Sequence, residues 1–270
     1  MNVKVNMEIN SLKSVKEFFI CPSPSDESQA IGAAYVLMSD YCRNHKLDAD
    51  KVLRPLSSAY LGPDITDQEI LELIKKEELQ KKYKIIRKVD YRKIAKLLAN
   101  GAVIGRASGR SEFGARALGN RSILADPRNY DTVKIINEKI KNRDFWMPFA
   151  ATILENRAKD YLVGYKKCGA PYMTIAFKTT ALAAKHLKAG LHPSDLTCRP
   201  QVLKSGHNPG YEKIIREFEK LTKVGGLLNT SFNLHGEPIV QSAADALRVF
   251  QLSELDGLLL NDFFIEKIRK

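Results

Sequence analysis

The stretch NPGYEKIIREFEKLTKVGGLLNTSFN, residues 208–233, decides the fold class. Its first half carries apolar side chains at helical spacing, at Tyr211, Ile214, Ile215, Phe218 and Leu221, and predicts an amphipathic helix. Its second half, GGLLNTSFN, predicts a buried strand that ends in a polar loop. A helix followed at once by a buried strand is typical of proteins in which helices pack on a sheet.

The same alternation continues on both sides of this stretch. Residues 91–100 predict a short helix that ends at Gly101, and residues 102–110 predict a strand. Downstream, Ser242 begins a capped helix, and GLLLNDFFIEK (257–267) predicts one last strand. We therefore expect an α/β fold.

Predictions for the N-terminal part of the chain are strands and helices joined by a connector. NVKVNMEIN (2–10) alternates apolar and polar residues and predicts a strand, as does the start of FFICPSPSDES (18–28). A tightly packed helix is expected from Ser28, and a capping box at Thr66 predicts a second helix that runs to about Lys82.

Composition excludes several classes of protein. Of 270 residues, 44% are apolar and 27% are charged, which is unlike a disordered chain. The longest apolar stretch, residues 30–38, is too short to span a bilayer, and the N-terminus has no secretory signal pattern, so we expect a cytoplasmic protein without a membrane segment. The four cysteines and five histidines lack metal-site spacing. The net charge of +12 favours an anionic partner, either nucleic acid or a small phosphate compound.

The densest cluster of functional residues is GRSEFGARALGNRSILADPR, residues 109–128. Glycines let main-chain N–H groups approach an anion, and guanidinium forks bind its oxygens in pairs, so the cluster predicts a phosphate site. The four arginines are Arg110, Arg116, Arg121 and Arg128. The alternative is a surface loop whose arginines pair with its own carboxylates.

Three further groups of residues are candidates for the same chemistry. Lys141 and Arg143 would share one face of an extended chain and could grip one phosphate, although an exposed basic turn has the same pattern. Asn229, Thr230, Ser231 and Asn233 follow the buried strand and supply neutral donors and acceptors, or else cap their own turn. Arg199 stands beside Pro200, and Asp26 alone is typical of a helix cap.

Together these segments resemble the C-terminal half of the NodU/CmcH-type O-carbamoyltransferases. The matching text includes GRSEFGARALGNRSILADPR, INEKIKNRDFWMPFA, TCRPQ and GGLLNTSFNLHGEPIV, in the order of that family and over essentially the whole chain. The resemblance implies a YrdC-like twisted mixed sheet flanked by helices at residues 96–270. It also implies a helical connector at 56–95 and, at 1–55, the C-terminal remnant of an actin-like ATPase-type domain.

The resemblance also implies a reaction and its participants. A YrdC-like domain condenses carbamoyl phosphate with ATP to carbamoyl-adenylate and pyrophosphate, and an actin-like domain passes the carbamoyl group to an acceptor hydroxyl. We therefore expect ATP and Mg²⁺ as cofactors, an N-terminal actin-like domain or chain as partner, and an acceptor of unknown identity. Asp26 would bind a transition metal in the complete enzyme.

Site residues carry over to matching positions of this sequence. Lys141, Arg143 and Arg116 are the expected catalytic residues. The expected substrate and nucleotide ligands are Arg121, Ser122, Arg199, Asn229, Thr230, Ser231 and Asn233.

Two alternatives remain at this point. Met147 replaces the arginine that the family usually has before Pro-Phe-Ala, which together with the missing N-terminal portion suggests a catalytically silent remnant. The charge of +12 suggests a YrdC-like RNA-binding module. Nucleic acid is the weaker expectation, because the basic residues lie in Gly-rich and Asn/Ser loops and do not alternate with aromatic residues.

Overall fold

The protein is represented by a computed structural model that describes residues 2–141, 148–166 and 169–268, without the side chains of residues 139 and 141. The helices within these ranges are α1 (Val3–Ser11), α2 (Gln29–Asn44), α3 (Ala49–Val52), α4 (Asp67–Lys76), α5 (Tyr91–Ala99), α6 (Asp131–Ile136), α7 (Ala158–Tyr161), α8 (Ala181–His186), α9 (Pro209–Thr222) and α10 (Ala243–Leu252). The strands are β1 (Tyr83–Ile86), β2 (Ile104–Ala107), β3 (Arg121–Ala125), β4 (Ala150–Leu154), β5 (Gln201–Leu203), β6 (Gly226–Ser231), β7 (Gly257–Leu260) and β8 (Phe263–Lys267).

The described strands form one mixed sheet in the order β1-β8-β7-β2-β3-β6-β4-β5. β2 pairs in parallel with β7, and β4 with β5, whereas the other neighbours are antiparallel. This confirms the predicted α/β class with a mixed sheet. The boundaries predicted for an actin-like remnant, a connector and a YrdC-like domain stay a prediction.

Helices cover both faces of the sheet. On one face, α5 and α9 bury Ile94 and Phe218 against Leu227. On the other, α4 and α10 bury Ile70 and Phe250. All five side chains are inaccessible to solvent, and each such burial contributes about 1.5–3 kcal/mol. The two cores hold the central strands rigidly, so the ends of those strands can position a site.

The N-terminal segment differs from its prediction, because residues 3–11 form helix α1 and no strand. Asn2 caps the helix by accepting hydrogen bonds from the main-chain N–H groups of Lys4 and Val5. Its Asn6 and Asn10 donate to main-chain carbonyls of the domain, so polar side chains four residues apart face the protein. The alternation of apolar residues alone therefore predicted the two-residue period of a strand, whereas the segment has the period of a helix. No strand is assigned at residues 18–28 either.

Strand β1 lies within the predicted connector but pairs with β8 at the edge of the sheet. The predicted last strand is in fact a hairpin of β7 and β8. The chain turns at Asn261, whose φ of +47° is one that asparagine tolerates better than most residues. The Asn261 side chain also accepts from the N–H of Gly109 and donates to the carbonyl of Ile65.

Several local predictions are confirmed. Gly101 has a φ of +91° just after α5, and Ser242 and Asp245 cap α10 reciprocally. The helix that begins after Thr66 ends at Lys76, earlier than expected, because Glu78 adopts a left-handed conformation. No helix in the described ranges combines the length and the apolar character that a membrane crossing requires.

Candidate functional site

A small cavity lies where the end of β6 meets the segment before β3. Its volume is about 50 Å³, and Arg116, Arg199, Asn229, Thr230 and Ser231 all line it. These five were predicted from three separate parts of the sequence, and the fold brings them together. The cavity is too small for a nucleoside but holds a group of a few non-hydrogen atoms.

Arg116 is the cation of this glycine-rich segment that lines the first cavity. It is half-buried, and burial lowers the pKa of its guanidinium, which nevertheless stays charged at neutral pH. Its buried Nε makes no hydrogen bond within the described part of the chain, and no carboxylate in that part lies within 4 Å. A partly desolvated cation of this kind attracts an anionic ligand strongly.

A second cavity begins on the other side of Arg116. It has a volume of about 200 Å³ and is lined by Ser111, Glu112, Gly114, Val240 and neighbouring residues. Because Arg116 borders both cavities, one anion bound by its guanidinium would lie at their junction.

The other polar residues of the first cavity come from β6 and from the segment before β5. Ser231 Oγ donates to Asn233 Oδ1 over 2.8 Å, and Asn233 Nδ2 donates to the carbonyl of Glu237 over 2.6 Å. Arg199 Nη1 donates to the carbonyl of Met173 over 3.1 Å, which fixes one side of its guanidinium. Asn233 therefore supports the loop beside the cavity and is not one of its lining residues.

The residues beneath the cavity form a polar row that the sequence analysis did not identify. Arg106, Ser122, Asn229, Thr152 and Gln201 lie on one face of β2, β3, β6, β4 and β5, as the strand registers show. All five are buried. Polar side chains inside otherwise apolar strands were the signal in the sequence that could have revealed this row.

This polar row anchors the segment 117–120, which directly follows Arg116. Asn229 Nδ2 donates to the carbonyl of Ala117, and Gln201 Nε2 donates to the carbonyl of Leu118 over 2.8 Å. Tyr60 Oη donates to the same Leu118 carbonyl over 2.8 Å, and burial raises the pKa of Tyr60 to about 12, so the phenol stays a donor.

Glu112 holds the same segment from the opposite side. Its Oε1 accepts from the main-chain N–H groups of Leu118, Asn120 and Arg121 over 2.7, 2.7 and 3.2 Å. A carboxylate with three N–H partners makes a strong local anchor. The main chain that follows Arg116 is therefore held rigidly. The sequence had suggested only that Glu112 pairs with arginines.

Arg121 lines the second cavity and not the first, and its predicted role as a ligand stays a prediction. Its side chain is fully buried, and its guanidinium donates to main-chain carbonyls. The acceptors are the carbonyls of Gln241, Ser108, Gly109, Asn120 and Pro63. The arginine therefore ties segments of the chain together beside the second cavity.

Three other residues of the same motif do not line the first cavity. Ser122 Oγ accepts from the N–H of Gly119 over 2.9 Å, so it positions the turn and is absent from the lining of the first cavity. Arg110 donates to main-chain carbonyls at 61 and 62. Arg128 forms an ion pair with Asp126, as the alternative had it. Of the four arginines, only Arg116 lines the first cavity.

The remaining predictions lie outside the cavity or outside the described residues. Arg143, Met147 and the side chain of Lys141 fall outside the described residues, so their predicted roles stay predictions. Asp26 is exposed, and its Oδ1 accepts from Gln29 Nε2 over 3.2 Å. Among the residues that the structure describes, no group of three or more histidines, cysteines or carboxylates could hold a metal.

A wider basic groove lies near α5 and α9. It has a volume of about 620 Å³ and contains Arg92, Lys93, Lys96 and Arg128. Lys93 pairs with Glu266 over 3.2 Å, and Arg128 pairs with its own carboxylate. Because two of the four cations are neutralised, this groove supports nucleic-acid binding only weakly.

Comparison with known proteins gives a family and several relatives. The family model described as "Carbamoyltransferase C-terminus" matches residues 95–267. The chain is 37% identical over 259 residues to nodulation protein NolO of Bradyrhizobium diazoefficiens and covers 45% of that protein. It is 36% identical over 278 residues to an uncharacterized protein of Synechocystis and covers 44% of it. In each alignment 93% of the present chain is covered, so the chain spans less than half the length of these relatives.

Among solved structures, the HypF protein of T. kodakarensis matches with a TM-score of 0.43 and 16% sequence identity. The match covers 70% of this chain and 23% of that protein.

Proposed function

Because the chain belongs to the carbamoyltransferase C-terminus family, we propose that it binds carbamoyl phosphate and ATP and forms carbamoyl-adenylate from them. Family membership agrees with the resemblance found in its motifs. The carbamoyl group would then pass to an acceptor hydroxyl with the help of an N-terminal portion such as the longer relatives contain.

One observation carries the proposal, namely the convergence of Arg116 and Arg199 on the strand end of Asn229, Thr230 and Ser231. Two cations and several neutral polar groups around a small cavity suit a phosphate that bears a small polar group. Guanidinium groups bind phosphate oxygens in pairs, and the neutral side chains supply the directional hydrogen bonds.

The proposed reaction joins two anions. Water displaces phosphate from carbamoyl phosphate to leave carbamate, and a carbamate oxygen then bonds to the α-phosphorus of ATP while the bond to the β-phosphate oxygen breaks. The products are carbamoyl-adenylate, pyrophosphate and phosphate. Negative charge accumulates between the reactants, so cations that are already in position stabilise the transition state. Arg116, at the junction of the two cavities, is suited to this role.

Mg²⁺ would enter with the nucleotide. Mg²⁺ usually keeps several waters and binds through one or two carboxylates plus substrate phosphates, so it needs no protein cage. Bound there, it would offset charge on the ATP oxygens. Among the described residues Asp26 belongs to no group of three possible metal ligands, so its predicted role in the complete enzyme stays a prediction, and no step of the proposed reaction involves a transition metal.

Binding and exchange measurements test the proposal. We expect ATP with Mg²⁺, and separately carbamoyl phosphate, to raise the melting temperature at millimolar concentration, since each ligand binds only the folded state. Carbamoyl phosphate should also stimulate exchange of labelled pyrophosphate into ATP. Folded protein that binds neither compound would favour the silent remnant, and salt-sensitive RNA binding that ATP does not displace would favour the RNA-binding alternative.

Helix α2 offers a surface for the N-terminal portion. Its side chains Val36, Leu37 and Tyr41 are 61%, 70% and 51% exposed, and Tyr35 and Met38 are also exposed. Several exposed apolar side chains on one helix are typical of a protein interface. The longer relatives supply a candidate for the polypeptide that covers it.

Charge on this surface should weaken the complex. We expect Leu37→Asp to reduce binding to a separately produced N-terminal portion of a relative at least about tenfold, because a buried leucine contributes about 1.5–3 kcal/mol. Size-exclusion chromatography and calorimetry would measure it. Leu252→Asp is the matched control, since Leu252 is 64% exposed at the end of α10. Equal binding by the two variants would contradict this placement.

A further inference from the structure

Asn229 lines the first cavity, and hydrogen bonds to three neighbouring groups fix the orientation of its side-chain amide. It is 1% exposed and lies on β6, at the point where the strand meets the cavity. The two protons of its Nδ2 are shared among three acceptors, the carbonyl of Ala117 at 3.2 Å, Thr152 Oγ1 at 3.0 Å and Gln201 Oε1 at 3.3 Å.

These contacts determine which end of the amide is nitrogen. A main-chain carbonyl only accepts hydrogen bonds, so the atom that faces Ala117 must be Nδ2. The same reasoning fixes Gln201, whose Nε2 donates to the carbonyl of Leu118. Thr152 then donates its hydroxyl proton to Gln201 Oε1 over 2.8 Å, which leaves its lone pairs for Asn229.

The side-chain oxygen of Asn229, Oδ1, takes no part in these hydrogen bonds. Oδ1 is buried, and no group in the described residues donates a hydrogen bond to it. A buried acceptor without a donor is costly, and native proteins rarely keep one without a reason. Since the residue lines the cavity, a bound ligand with an N–H group would supply the missing donor.

We propose that Asn229 Oδ1 accepts a hydrogen bond from the amino group of the carbamoyl moiety, and thereby selects carbamoyl phosphate over acyl phosphates that lack N–H. This inference rests on the proposed function. The volume of about 50 Å³ fits a planar group of three non-hydrogen atoms. The arginines beside it bind phosphate whatever the acyl group is, so they do not distinguish carbamoyl from acetyl.

Acetyl phosphate is the matched probe, because a methyl group replaces the amino group with little change in shape. We expect the wild-type protein to bind carbamoyl phosphate about tenfold or more tightly than acetyl phosphate, since acetyl leaves Oδ1 without a donor. Isothermal calorimetry on the full chain would give both dissociation constants. This comparison needs no substitution and is independent of any folding defect in a variant.

Asn229→Ala should reduce the preference to about threefold or less, because it removes the acceptor that distinguishes the two ligands. Asn10→Ala is the control, since it removes a buried amide of helix α1 that does not line the cavity, and we expect it to keep the wild-type ratio. Melting temperatures of both variants would establish that they fold. A purely structural Asn229 would change both affinities together and leave their ratio as it was.

The outcomes separate this inference from the function on which it rests. Wild-type protein that binds carbamoyl phosphate and acetyl phosphate equally overturns the role of Asn229 and leaves the proposed function standing. A folded Asn229→Ala variant with the full wild-type preference has the same consequence. Wild-type protein that binds neither compound overturns the proposed function, and this inference with it.

Discussion

Arg116→Ala should lower carbamoyl-dependent exchange of pyrophosphate into ATP by about 10²- to 10³-fold. This is the loss observed when one preorganised donor to a transition state is removed from an enzyme. Arg116 is suited to so large an effect because it is half-buried, lacks a neutralising carboxylate within the described residues and borders both cavities. A substituted lysine would restore the charge but lose the paired geometry of the guanidinium, so Arg116→Lys should recover only part of the rate.

The fold should survive this substitution. The structure gives Arg116 no ion pair with any described residue, so removing it breaks few contacts, and the melting temperature should change by about 2 °C or less. Arg110→Ala is the matched control, because Arg110 belongs to the same glycine-rich segment but is exposed and donates to carbonyls away from the cavity. Exchange rates for Arg116→Ala within threefold of the wild type would contradict the proposed role.

The parts of the fold that the sequence predicts correctly are those in which local pattern and burial agree. Helix α9 has its apolar residues at helical spacing, and β6 is a short apolar run between glycines and polar residues. Helix α1 shows the opposite case. Its polar residues Asn6 and Asn10 face the protein because main-chain carbonyls lie there, and a single sequence does not show where such carbonyls will be.

Long-range contacts explain the other differences. β1 is a strand because β8 lies beside it, nearly the whole domain away in sequence, and its four residues were too few to show a period. The turn at Asn261 divides what looks in the sequence like one apolar strand. Asn-Asp is not one of the dipeptides that specify a tight hairpin turn, so the sequence did not reveal it. The pairing of β7 with β8 decided between one strand and a hairpin.

The candidate site was predicted as a set of residue types but not as an arrangement. The sequence places four arginines in one motif, and each of them is an equally good candidate to bind phosphate. Three of them instead bind groups of the protein itself, and only the fold shows this, because an arginine near a carboxylate or a carbonyl in space is indistinguishable by sequence from one near a ligand. Asn229 was predicted through its neighbours at the strand end, whereas the polar row beneath it depends on strand register.

Arg121→Met should destabilise the protein by about 3 kcal/mol, in contrast to Arg116→Ala. The methionine preserves much of the apolar length of the side chain but removes every hydrogen bond of the guanidinium. Hydrogen bonds from a charged group contribute about 1.5–3 kcal/mol each. Burying the cation also costs free energy, and because the substitution removes that cost, the net loss of stability is smaller than the sum of the lost hydrogen bonds. Burial lowers the pKa of Arg121, which reflects this cost.

A thermal melt would measure the effect as a fall of about 10 °C, with exchange activity per folded molecule reduced far less than in Arg116→Ala. Arg110→Met provides the comparison, because Arg110 is exposed and its loss should leave the melting temperature nearly unchanged. Arg116 and Arg121 lie five residues apart in one motif. Opposite results at these two positions would distinguish a residue that contacts the ligand from one that stabilises the fold. If Arg121→Met kept the wild-type melting temperature but lost carbamoyl phosphate binding, Arg121 would be a ligand contact after all, and the five carbonyls around it would need other donors.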